Sequence, residues 1–101
     1  MTEPTLEEYL ILRNLDEPIA EDAFDAAAEH SVEVTRQLAD EGVGINWRKS
    51  DVRTQANGAV TGTMCHFQAE NEAVIHEHAD RAGLPVTRID RYGQTLQNES
   101  G

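Results

Sequence analysis

One strand-length apolar run, two amphipathic helical stretches and an Asn-Gly turn between two alternating segments predict an α+β domain ordered strand, helix, strand, strand, helix, strand. That order is the split βαβ arrangement of the ferredoxin-like βαββαβ fold, an antiparallel four-stranded sheet with two helices on one face. The other face of the sheet is left open.

The first strand is read from Leu6 to Leu15, where Tyr9-Leu10-Ile11-Leu12 is apolar enough for burial on both faces, and Asp16-Glu17-Pro18 supplies helix-start chemistry. From Ile19 to Asp40, Phe24, Ala27, Ala28, Ser31, Val34 and Leu38 recur three and four apart, with Glu21, Asp22, Asp25, Glu29 and Glu33 mostly off that stripe. This predicts a long helix with an acidic outer face, ended by Gly42 and Gly44. Ile45 to Arg53 and Ala59 to Ala69 read as a hairpin around Thr54-Gln55-Ala56-Asn57-Gly58. A second helix opens on Asn71 as N-cap and closes at Gly83, with Pro85 just beyond. Val86 to Tyr92 is the last strand. Residues 1–92 are therefore expected to form one domain, and residues 93–101, which lack apolar content, a disordered tail.

A chain of 101 residues buries only about 60 to 68 per cent of its unfolded surface, and two Phe, two Tyr and one Trp are few large anchors. Further burial is expected from a homodimer in which a second subunit covers the open sheet face, leaving a pocket for a small-molecule ligand between the two sheets.

The net charge is −11, and it is unevenly distributed: residues 1–41 hold 12 acids and 2 bases, whereas residues 42–101 hold 7 acids and 6 bases. Such a balance repels nucleic acid and anionic lipid, which bind through cationic contacts to phosphate. With a single Lys, Lys49, the surface resembles that expected in a halophile's cytoplasm. The acidic helix could alternatively meet a basic protein partner. The longest apolar run has four residues and no basic segment precedes an apolar one at the N-terminus, so neither a membrane span nor a leader is predicted. Cys65 is the single cysteine and has no intrachain partner, which fits a reducing cytoplasm.

Strict alternation places Trp47, Lys49 and Asp51 on one face of their strand, and Cys65 and Phe67 on one face of the next. If Trp47 and Phe67 share a side, they wall a pocket containing Lys49, Asp51 and Cys65. Lys49 and Asp51 would then be the candidate acid/base pair of an enzyme, or else a solvent-exposed ion pair. His76 and His78, two apart on a helix, diverge by about 200° and cannot share one ion. His78 falls inside the apolar stripe of Val74, Ile75, Ala79 and Ala82, where it is either a core imidazole bonded to backbone or a ligand. His66 and Cys65 offer nitrogen and sulfur donors but point to opposite faces. No P-loop, dinucleotide fingerprint, G-x-S-x-G or C-x-x-C occurs.

Ile45-Asn46-Trp47 with Ser50, then Cys65 and Phe67, then Ile75-His76-Glu77-His78-Ala79, and finally Ala82-Gly83-Leu84-Pro85 with Ile89 form a recognisable pattern. On these residues the stretch from Gly44 to Ile89 resembles a family of small ferredoxin-like proteins that carry a domain of unknown function and include a nickel-binding dimeric member. Where that family reads Trp-x-His-Ser-Tyr, this chain reads Trp47-Arg48-Lys49-Ser50-Asp51, so two candidate ligands are replaced by Lys49 and Asp51. A charged ammonium does not coordinate metal, whereas Asp51 offers a hard oxygen. The leading reading is a homodimer that holds a divalent transition metal, nickel by resemblance, through His78, with Glu77, His66, Asp51 or Cys65 as candidate helpers. The alternative is an enzyme working in the pocket between the sheets.

Overall fold

The computed structural model describes residues 5–98 and contains six elements in the expected order: β1 (Glu7–Ile19), α1 (Glu21–Asp40), β2 (Ile45–Thr54), β3 (Val60–Ala69), α2 (Glu72–Ala82) and β4 (Arg88–Arg91). The strands lie in the order β2-β3-β1-β4, and every neighbouring pair is antiparallel. This is the ferredoxin-like α+β arrangement.

Alternation along the two central strands makes the layers. Tyr9, Ile11 and Arg13 of β1 stand opposite Phe67, Cys65 and Thr63 of β3, and all six are buried. Val34 and Leu38 of α1 and Ile75 and Ala82 of α2 pack into the same core, so both helices cover this one face. On the reverse face Leu10, Leu12, Met64 and His66 are only half-buried. The periodic positions read for α1 from Phe24 to Leu38 are its buried and half-buried ones, while Glu21, Asp22, Asp25, Glu29 and Glu33 are exposed.

The second helix ends as its sequence dictates. The Asn71 side chain accepts a bond from the Val74 amide, and Gly83 closes the helix at φ 70°, a left-handed conformation that costs a residue with a Cβ. The first helix differs from expectation. Asp16-Glu17-Pro18 does not start it: β1 runs on past an irregularity after Asn14 so that Ile19 pairs with Val60, and Ala20 caps α1 without a side-chain bond. Burying Ile19 against the sheet outweighs the local helix-start signal. The last strand is shorter than read, although Thr87 N and Tyr92 N still donate to Leu12 O and Glu8 O at its ends. Residues 93–98 form neither helix nor strand, and the last three residues of the expected tail lie outside the described residues.

One departure governs the site. Trp47 pairs with Phe67 and Lys49 with His66, so Arg48 is an extra residue on β2 with no counterpart on β3. Such a bulge shifts the phase of the strand beyond it. Directly opposed residues share a face. Trp47, Ser50 and Val52 therefore belong to the helix side with Phe67, Cys65 and Thr63, and Lys49 and Asp51 to the open side with His66 and Met64.

Ile11 is wholly inaccessible at the centre of the sheet. Ile11→Ala should lower the unfolding free energy by about 2–5 kcal/mol and Ile11→Val by about 0.5–1.5 kcal/mol, as read by urea denaturation. A loss below about 1 kcal/mol for the alanine variant would remove Ile11 from the core described here.

Candidate functional site

Between α1 and the inner face of the sheet lies a cavity of about 210 Å³. Phe24, Ala27 and Ser31 of α1 form one wall, and Arg13, Thr63, Cys65, Phe67, Trp47 and Val52 of the strands form the other. It opens between α1 and β2, where Val32, Trp47 and Val52, exposed to 46, 48 and 47 per cent, make an apolar rim. This pocket lies under the helix layer of a single chain, on the opposite side of the sheet from the open face. Trp47, Phe67 and Cys65 wall it together, with Trp47 Nε1 donating to Ser50 Oγ at 3.0 Å.

Lys49 and Asp51 do not belong to this pocket. The bulge at Arg48 turns them to the other face, where their side chains, 59 and 70 per cent exposed, form a pair at 3.8 Å. A pair so open to water stabilises little. The expected acid/base pair beside Trp47 is not formed.

Arg13 is the buried cation that sequence reading missed. It is 3 per cent exposed. Its Nη1 donates to the Pro85 carbonyl at 2.9 Å, its Nε is buried without a partner, and no carboxylate among the described residues pairs with it. A buried charge without a counter-ion is destabilising by several kcal/mol. The signal was present: strict alternation from Tyr9 and Ile11 puts residue 13 on the inner face.

His78 lies on the same interior side, 1 per cent exposed, its ring 5.0 Å from that of Phe67. Nε2 stands 3.1 Å from Ser31 O and 3.0 Å from Thr35 Oγ1. Since a carbonyl only accepts, the proton sits on Nε2, leaving Nδ1 buried and without a partner. Burial pushes the imidazole below its ordinary range, the bond to Ser31 opposes this, and the charge of Arg13 adds to the lowering. His78 is therefore a neutral core imidazole bonded to backbone.

The other expected ligands are dispersed. Glu77 pairs with Arg81 at 3.2 Å on the outer surface of α2. Cys65 is a buried free thiol, its Sγ 3.4 Å from Thr63 Oγ1. Among the described residues no three His, Cys, Asp or Glu side chains gather as a metal site. His78, Glu77, His66, Asp51 and Cys65 thus do not form a shared site within one chain. A different pair does form on the open face. His66, stacked on Tyr92 with centroids 4.3 Å apart, holds its Nε2 3.4 Å from Glu8 Oε1, and Gln68 Nε2 donates to the same oxygen at 3.3 Å. The two groups form no hydrogen bond, and Nε2 of His66 is buried without a hydrogen-bond partner. Glu8 could have been found from register, since it precedes Leu10, which stands opposite His66.

This architecture defines a small ferredoxin-like α+β protein. The family described as "Nickel responsive protein SCO4226-like" matches residues 9–91, and the chain belongs to that family. Among solved structures, the crystal structure of SCO4226 from Streptomyces coelicolor A3(2) superposes with a TM-score of 0.66 at 11% identity, covering 88% of this chain and 99% of that one. A putative amidohydrolase/peptidase from Burkholderia cenocepacia aligns at 16% identity over 87% of this chain and 27% of that one, with a TM-score of 0.43, too low to bear on the fold. No curated protein matches the chain.

The neutral state of His78 makes stability depend on pH. The unfolded imidazole takes up its proton near 6.5 and the folded one only at lower pH, so the stabilisation is complete above that value and is lost as the pH falls below it. Between about pH 7.5 and about pH 5.5 the urea midpoint should fall further for the wild type than for His78→Gln. Equal falls would contradict the assignment.

Proposed function

We propose that this protein is a homodimeric cytoplasmic binding module for a divalent transition metal of the nickel type, with the metal site completed by a second copy across the open sheet face. The observation that carries the reading is the His66–Glu8 pair: an unpartnered imidazole nitrogen 3.4 Å from a carboxylate oxygen, on the face that no helix covers. Two donors cannot hold such an ion tightly. Two copies related by a twofold axis would offer two nitrogens and two oxygens, a set that suits nickel or zinc. The half-buried Leu10, Leu12 and Met64 around the pair supply apolar surface for such a contact. Membership of a nickel responsive family supports the same reading. Gln68 orients Glu8 in the manner of residues that hold metal ligands in place. The single buried cysteine suits a reducing compartment, and among the described residues no helix is long and apolar enough to cross a membrane.

Calorimetric titration of tag-free protein with nickel tests this. The expected result is about one ion per two chains with Kd below about 1 mM, weakened at least tenfold by His66→Ala and by Glu8→Gln, and accompanied by a dimer in sedimentation. Unchanged affinity in His66→Ala, or no binding tighter than about 1 mM, overturns the proposal.

A further inference from the structure

Arg13 lines the cavity under α1, on the opposite face of the sheet from His66 and Glu8. Among the described residues that line the cavity Arg13 is the only charged one, and it is nine-tenths buried or more. With Nη1 committed to Pro85 O, the edge formed by Nε and Nη2 has no hydrogen bond. That edge is the one a carboxylate grips with two parallel bonds. Among the described residues no carboxylate pairs with Arg13: His78, the titratable neighbour on α2, is held neutral by burial, and Cys65 bonds to the Thr63 hydroxyl. The remaining lining is apolar or hydroxyl-bearing, and the rim of Val32, Trp47 and Val52 is apolar and exposed.

We propose that this cavity binds a small amphipathic carboxylate, its acid group on the free edge of Arg13 and its apolar body between Phe24 and Val32 of α1 and Trp47 and Phe67 of the sheet. The size is appropriate: an apolar cavity of about 150 Å³ holds benzene, so about 210 Å³ admits a ring with a short acid arm or a medium-length alkyl acid. Ligand pockets of this type combine an apolar wall with very few fixed polar groups. The buried charge thereby acquires its counter-ion only in the complex, which favours an anion over a neutral compound of the same shape. A phosphate monoester carries more charge and hydration than one guanidinium in an apolar pocket can match, which directs the site to a monoanion.

Trp47 is the sole tryptophan and stands at the rim, so its fluorescence reports occupancy. The protein is titrated with 3-phenylpropionate and octanoate, and in parallel with 3-phenylpropanol and octanol. The acids are expected to give saturable changes at least tenfold tighter than the alcohols. Arg13→Met, which removes the buried charge while keeping the length of the chain, should abolish that preference, and Arg13→Lys should retain part of it. Equal affinity of acid and alcohol in the wild type overturns the proposal without any variant. So does an absence of saturable binding by either acid. His66→Ala should leave the acid affinity unchanged, which separates this site from the metal reading.

Discussion

The antiparallel pairing of β1 with β3 is the interaction on which the remainder of the structure rests. It sets Tyr9, Ile11 and Arg13 in register with Phe67, Cys65 and Thr63, and this row is what both helices pack against. β2 and β4 attach only to the outer edges of that central pair. Because side chains alternate across a strand, the same register that buries Ile11 also presents Leu10, Leu12, Met64 and His66 to the reverse face. One pairing therefore creates two environments: a closed layer beneath the helices and an open sheet.

The bulge at Arg48 decides what those environments contain. Before it, β2 is in phase with the inner row; after it, one residue has been absorbed and the phase is inverted. Ser50 and Val52 join Trp47 over the cavity, and the polar Lys49 and Asp51 are delivered to water. The result is an interior wall almost free of charge. Against it the guanidinium of Arg13 is conspicuous, because taking a charge out of water without a counter-ion costs several kcal/mol.

Chemistry is thus divided between the two faces. On the inner side His78 is locked by Ser31 and Thr35 and contributes packing and polar satisfaction, while Arg13 retains unused donors. On the outer side His66, like His78 at Nδ1, has a buried nitrogen without a hydrogen-bond partner, and it is steadied by Tyr92 and faces Glu8. The acidity of the N-terminal part belongs to neither, since the carboxylates Glu21, Asp22, Asp25, Glu29 and Glu33 lie exposed on the outer surface of α1.

Local patterns in the sequence determined the element order, the inner stripe of α1, the caps of α2 at Asn71 and Gly83, and the interior position of His78, because periodicity, capping and turn chemistry act over a few residues. They also carried the family resemblance from Gly44 to Ile89. What only the tertiary structure decided was the phase of β2 beyond Arg48, the extension of β1 to Ile19 and the meetings of His66 with Glu8 and of Arg13 with the cavity. A bulge leaves no trace in alternation read one strand at a time, since the extra residue is defined only by its lack of a partner on β3. Likewise alternation along β1 places Arg13 on the inner face, but only the packed structure shows that no carboxylate among the described residues pairs with it.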